Sequence, residues 1–354
     1  MIPISIPHLY KEDKRIAIKA IKDGFIAQGG NIRLFEEKMA DYCGREYAVS
    51  CSNGTTALYL AINSLNLPKG SEVILPSLTI LSCLTAVTEN DLTPVFCDSD
   101  LKTWNLSFSS VREKITPQTS AIMLVDMYGL MVDVEEVEKL RQDFPNIKII
   151  EDASEAHGAT SKKKKAGSLG DVSTFSFYAN KIITTGEGGM VLTDDRKIYN
   201  KLSLLRNLNF VDHKKYIHAD IGSNFRLSNL QCSLGLGQLK NIEKTIKSRQ
   251  RIGSQYRKKL ENNSNIQLPL VENNVYWYFA ILVKKDPVYV IKKLIKNNID
   301  YRHIFHPLHK QPFMKRPESL PNAEFISKAG IILPTYTRLK NKQINFICNV
   351  INET

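Results

Sequence analysis

Short, continuous apolar runs alternate along the chain with stretches whose apolar residues recur every three or four positions. The runs "EYAVSC" (46–51), "EVILP" (72–76), "TPVFCD" (93–98), "AIMLVDMYG" (121–129) and "IKIIED" (147–152) read as strands. Between them "TTALYLAINSL" (55–65), "ILSCLTAVTEN" (80–90) and "DVEEVEKLRQDF" (133–144) carry the helical period. Strands with no polar alternation are covered on both faces. The rhythm therefore predicts an α/β domain built on a large, mostly parallel sheet. Further strands are expected at 171–178 ("DVSTFSFY") and 188–195 ("GGMVLTDD").

After residue 228 the rhythm changes. One long helix is expected over 229–262, a strand at 275–285, a helix at 287–298 and a helical C-terminal end. This pattern predicts a large domain, 1–240, and a smaller α/β lobe, 241–354.

Composition narrows the function classes. The chain has 354 residues, 43% of them hydrophobic, enough for two cores of this kind. No run of 18 apolar residues occurs and the first residues do not form a secretory signal, so no membrane partner is expected. Six cysteines, at 43, 51, 83, 97, 232 and 348, show no CxxC spacing, which suits free thiols in a reducing cytoplasm. The net charge of +12 is compatible with an anionic small molecule or with nucleic acid. The basic residues are dispersed, however, and no helix-turn-helix, zinc-finger or RNP pattern is present, so no nucleic-acid partner is expected. The densest basic patch, 162–165, reads as an exposed hairpin tip. No metal-binding motif is found, nor GxGxxG after a strand, GxxxxGK[ST] or GxSxG.

Three stretches carry candidate chemistry. In "CSNGTTAL" a strand passes to a helix through Asn53, Gly54 and Thr55; a helix N-terminus offers unpaired N–H groups to a phosphate, and equally suits an ordinary cap. In "IIEDASEAHGA", Glu151 and Asp152 follow a strand, where open α/β sheets bind ligands. A carboxylate there can hold a cationic ring nitrogen or cap the next turn, and His157 reads as a structural histidine. In "TFSFYANKIITTGEGGM", Lys181 lies among Phe175, Phe177, Ile182 and Ile183. Burial there would lower the lysine pKa from about 10.4 and leave a nucleophilic amine of the Schiff-base kind. Ser176 alternates with the two phenylalanines and can face a crevice, and the glycines of "GEGG" let the backbone pass close to a ligand.

Taken in order, these pieces resemble the DegT/StrS-type nucleotide-sugar aminotransferases, from "FIAQGGNIRLFEEKMADYCG" to "YRHIFHPLHKQP". The resemblance implies an aspartate-aminotransferase-like fold (PLP fold type I) and the cofactor pyridoxal 5'-phosphate (PLP). It implies a cytoplasmic homodimer whose substrates are a nucleotide-diphosphate keto-sugar and L-glutamate. By resemblance Lys181 bonds the cofactor aldehyde and shuttles protons, and Asp152 pairs with the pyridinium nitrogen. Gly54, Thr55 and Ser176 cradle the phosphate, with Asn224 of "GSNFRLSNLQ" reaching it from a second subunit. Glu155 lies near the cofactor hydroxyl or the substrate, and Gln28, Arg226 and His309 contact the sugar substrate. Where the family has an aromatic residue after "PSLT" to stack on the cofactor ring, this chain has Ile80, which covers a ring by dispersion alone. Relatives that dehydrate C3 replace the lysine with histidine; this chain keeps Lys181. The resemblance of the strip around Glu155 and Lys181 implies amination at C4 of a GDP-linked 4-keto-6-deoxymannose. A UDP- or dTDP-sugar 4- or 3-aminotransferase, or a non-catalytic sugar sensor, is the alternative.

Overall fold

The strand-ends that the sequence marks as candidate sites converge on one edge of a central sheet. A computed structural model describes residues 1–211, 216–270, 272–315 and 318–353. The sheet strands are β1 (Tyr47–Cys51), β2 (Glu72–Pro76), β3 (Thr93–Cys97), β4 (Thr119–Val125), β5 (Lys148–Asp152), β8 (Val172–Ser176) and β9 (Gly189–Thr193), in the order β1-β9-β8-β5-β4-β2-β3. β9 runs antiparallel to both neighbours and the other pairings are parallel. Nearly every side chain of β2, β4, β5, β8 and β9 is buried, as expected when helices cover both faces. Those helices include α1 (Lys11–Lys22), α2 (Gly30–Cys43), α3 (Gly54–Ser64), α4 (Leu81–Thr88), α5 (Phe108–Lys114), α6 (Val134–Asp143), α7 (Arg196–Leu205) and α8 (Asn229–Lys240). The patch at 162–165 is a hairpin tip: β6 (Thr160–Ser161) pairs with β7 (Lys164–Lys165), and Lys162 and Lys163 take left-handed φ of 47° and 67°.

The second lobe has an antiparallel sheet, β10 (Ile266–Gln267), β11 (Phe279–Val283), β13 (Gly330–Leu333) and β12 (Arg302–His303) in that order. Around it lie α9 (Ile242–Leu260), α10 (Pro287–Lys296), α11 (Pro321–Ala329) and α12 (Asn341–Asn352). Phe279, Ile281 and Val283 of β11 face a core made with α9, α10 and α12, whereas Ala280 and Leu282 belong to the core of the large sheet. The chain start joins this lobe as well: Ile2 bridges Ile299, and the Ile4 carbonyl accepts from Thr335 N–H. We propose that 1–240 and 241–354 are the lobes, with the first five residues attached to the second.

Two expectations need correction. The helix over 229–262 is two helices that break at Asn241, whose side-chain amide donates to the Gly237 carbonyl at 3.1 Å and so competes with the helical ladder. The strand at 275–285 is cut to Phe279–Val283, because Tyr276 takes a left-handed φ of 50° and its N–H is held by Asn274 Oδ1 at 2.7 Å. That kink turns Trp277 away from the sheet and toward the large lobe. All six cysteines are free and buried. Among the described residues no helix is long and apolar enough to cross a membrane, and no side-chain cluster could hold a metal ion.

Candidate active site

The carboxyl ends of β2, β4, β5 and β8, and the turn between β1 and α3, open into a cavity of about 670 Å³. In a mostly parallel sheet this is the edge where ligands bind. Gly54, Thr55, Ile80, Asp152, Glu155, Ser176 and Lys181 all line it.

The β1–α3 turn forms one end. Asn53 caps α3 by accepting from Thr56 N–H at 2.9 Å, which leaves the amides of Gly54 and Thr55 without an intrahelical acceptor. Gly54 lies against Ser176: a Cβ on residue 54 would sit 2.8 Å from Ser176 Cβ. The Thr55 hydroxyl meets that of Ser82 at 2.7 Å. A positive helix end, free amides and three hydroxyls suit a phosphate.

Asp152, at the end of β5, is buried. Its Oδ1 accepts from Ser154 N–H at 3.1 Å and from the Thr174 hydroxyl at 3.4 Å, and the Cys83 thiol points at Oδ2 from 3.5 Å. These contacts fix a carboxylate at the back of the cavity.

Lys181 enters from the segment after β8, anchored by the buried Phe177, Ile182 and Ile183. Its Nζ is 3.8 Å from Glu155 Oε1 and 3.7 Å above the centroid of the Trp277 ring. Burial lowers its pKa, an effect opposed by the negative charges of Glu155 and Asp152. Burial pushes Glu155 the other way, up to about 7, against the attraction of Lys181 and the N–H of Tyr128, which donates to Glu155 Oε2 at 2.8 Å. His157 packs on the rings of Phe175 and Phe177 at 4.8 and 5.8 Å, and burial pushes its pKa down to about 3, so it is a neutral core residue.

Four expected site residues do not reach the cavity of this chain. Gln28, Asn224 and Arg226 are exposed, and Arg226 donates to Asn207 Oδ1 at 2.8 Å. His309 is buried in a separate network, with Ser77 Oγ 2.5 Å from Nδ1 and Glu324 Oε1 3.1 Å from Nε2. Sequence reasoning overlooked Trp277, Asn180, Tyr178, Glu187, Arg302 and Phe305, which also line the cavity. Trp277 and Arg302 come from the second lobe. The signal for Trp277 was the aromatic run "VYWYF"; Arg302 stood unremarked in "YRHIFHP".

An amine of lowered basicity condenses with an aldehyde, a strand-end carboxylate can pair with a basic ring nitrogen, and a helix N-terminus binds phosphate. Pyridoxal 5'-phosphate carries all three partners on one small molecule, and the fold and site together define a PLP-dependent aminotransferase. The family model of the DegT/DnrJ/EryC1/StrS aminotransferases matches residues 7–352, and the chain belongs to that family. The GDP-perosamine synthase of Escherichia coli O157:H7 is 37% identical over 359 residues, covering 99% of this chain and 98% of the relative. That of Caulobacter vibrioides is 35% identical over 365 residues, covering 99% and 98%. Among solved structures, Helicobacter pylori PseC, an aminotransferase involved in the biosynthesis of pseudoaminic acid, superimposes with a TM-score of 0.95 at 26% identity, covering 99% and 98%.

Proposed function

We propose that this enzyme moves the amino group of L-glutamate to C4 of GDP-4-keto-6-deoxymannose, producing GDP-perosamine. The observation that carries the reading is the 37% identity along the whole chain to a GDP-perosamine synthase, and the buried Lys181 in the cavity beside Glu155 supports it. The fold-level part of this argument is analogy; the chemistry rests on the site.

When bound, PLP supplies the electron sink for transamination. The chain's own residues do the rest. Lys181 would hold the cofactor aldehyde and, when its amine is free, would carry a proton at Nζ. Asp152 keeps the ring nitrogen protonated, fixed for that role by Ser154 and Thr174. The amides of Gly54 and Thr55 and the Ser176 hydroxyl hold the phosphate. Ile80, 43% exposed at the start of α4 and lining the cavity, would offer aliphatic atoms to the cofactor ring.

The remaining contacts call for a second copy of the chain. Gln28, Asn224 and Arg226 are exposed here, and beside them the large apolar side chains of Phe25, Ile26 and Ile221 are exposed too. A homodimer would cover these side chains and bring Asn224 to the phosphate of the neighbouring site. A nucleotide sugar carries a diphosphate and does not cross membranes unaided, which fits a cytoplasmic enzyme.

The test is a one-pot competition among GDP-, UDP- and dTDP-linked 4-keto-6-deoxyhexoses with glutamate, with products read by mass spectrometry. A hydrogen bond missing at a buried polar group costs about 1–3 kcal/mol, so the right base should win by roughly ten- to a hundredfold. A tenfold preference for UDP or dTDP would overturn the GDP assignment.

A further inference from the structure

Lys181 is seated from two sides in a closed circuit of contacts. Its Nζ lies 3.7 Å above the Trp277 ring. The Trp277 indole N–H donates to the carbonyl of Asn180, the residue before the lysine, at 3.0 Å. Its ring stacks parallel to Tyr128 (6.1 Å between centroids, planes 9° apart), and Tyr128 stacks on Phe305 (5.8 Å, 12°). The Tyr128 N–H grips Glu155 Oε2 at 2.8 Å, and Glu155 Oε1 faces Nζ at 3.8 Å.

Tyr128 makes this possible through its backbone. Its φ and ψ of 52° and 20° are left-handed, a strained choice for an aromatic residue that persists only where its surroundings hold it. Here the two ring stacks and the carboxylate hold it. The strain aims the N–H at Glu155 while the ring stays in the stack.

We propose that Trp277 is a positioning residue for Lys181, and that its indole face and the Glu155 carboxylate form a two-sided seat in which the unbonded amine and the carboxylate share one proton. This rests on Lys181 being the lysine that bonds the cofactor. The exchange is balanced: an N–H bond of the ammonium breaks as an O–H bond of the carboxylic acid forms, and an ion pair becomes two neutral groups. At 3.8 Å the groups form an ion pair, and a side-chain adjustment of about 1 Å brings them into hydrogen-bond reach. Burial brings the two proton affinities toward each other from opposite sides, which favours sharing. The indole face, a cation site, keeps the ammonium form accessible inside an otherwise apolar wall.

The experiment uses the full chain freed of cofactor. Trp277 and Trp104 are its two tryptophans, so fluorescence titrated against pH, with Lys181→Met as the reference, isolates the response of Trp277 to the charge beside it. A transition in the wild type that Lys181→Met abolishes is expected. Both seat walls favour the ammonium form, so removing either lowers the lysine's midpoint. Glu155→Gln should shift it down by about one pH unit. For Trp277 variants the readout is the pH dependence of the rate at which added pyridoxal phosphate develops visible absorbance. Trp277→Leu should shift that profile down, and Trp277→Phe, which keeps a ring face, should shift it less. A fluorescence titration unchanged by Lys181→Met, or identical profiles for Trp277→Leu and wild type, would overturn the seat. Borohydride trapping of the cofactor on another lysine would instead overturn the underlying assignment of Lys181, and a change of preferred sugar would leave the seat untouched.

Discussion

Replacing Gly54 with alanine tests the phosphate end without removing any group that does chemistry. The added Cβ would stand 2.8 Å from Ser176 Cβ and 3.1 Å from its Oγ, where ordinary contact begins at 3.4 Å. The first turn of α3 and the end of β8 must therefore separate by about 0.6 Å. Alanine suits a helix better than glycine by up to about 1 kcal/mol, so the cofactor-free protein should melt within a few degrees of wild type. The bound phosphate feels the displacement. Losing one hydrogen bond to a charged group costs about 1.5–3 kcal/mol, which raises the dissociation constant roughly ten- to a hundredfold. Titrating cofactor-free enzyme with pyridoxal phosphate, followed by visible absorbance, measures this directly. Pyridoxal without its phosphate is the control, and its affinity should barely change. Equal losses for both compounds, or no loss for either, would refute a cradle formed by Gly54 and Ser176.

Asp152→Asn should still bind the cofactor but lose roughly two to nearly four powers of ten in single-turnover rate with glutamate, since removing one partner of a buried ion pair costs roughly 3–5 kcal/mol; a near-wild-type rate would make Asp152 merely structural. Glu155 has a folded pKa of about 7, above its ordinary 4.5, so the folded cofactor-free protein holds a proton that the unfolded chain releases. Its contribution to stability is full below pH 4.5 and is lost as pH rises through 7, and melting temperatures of Glu155→Gln should lack that decline. Lys181→Ala and Asn224→Ala chains, each impaired alone, should partly recover activity when mixed, because one site of the heterodimer would carry neither lesion. A fully active monomer in sedimentation would exclude the shared site.

The large sheet was legible because strands buried on both faces must be apolar throughout, as in "VILP" and "IMLV", a signal that depends on no distant residue. Gly54, Asp152 and Lys181 could be singled out for a related reason: Asp152 ends such a strand, and Gly54 and Lys181 lie three and five residues beyond one, so each stood near the sheet's ligand-binding edge. The errors lie where a short amide side chain captures a backbone group close by, as Asn241 takes the Gly237 carbonyl and Asn274 the Tyr276 N–H, against an apolar pattern that continues through both. Tyr276 adopts its left-handed turn with its N–H on Asn274 Oδ1 and its ring against Gly253, where a Cβ would come within 2.5 Å of the ring; the aromatic run "VYWYF" masks the turn that Asn274 starts. The same turn delivers Trp277 to Lys181, so the misread strand and the overlooked site residue have one cause. His309 was placed near the sugar by resemblance, whereas in the fold Ser77 and Glu324 take up both its ring nitrogens.

The two faces of β11 have a consequence for how the molecule loses its structure. Because Ala280 and Leu282 are packed into the large core while Phe279, Ile281 and Val283 hold the smaller one, neither core can open without stripping cover from the other. The chain start, bound to residues 298–300, closes the same loop from its other end. Two lobes that differ in shape thus form one cooperative unit, with a single heat-absorption peak on melting rather than two, and the wall carrying Trp277 and Arg302 is as durable as the sheet it faces.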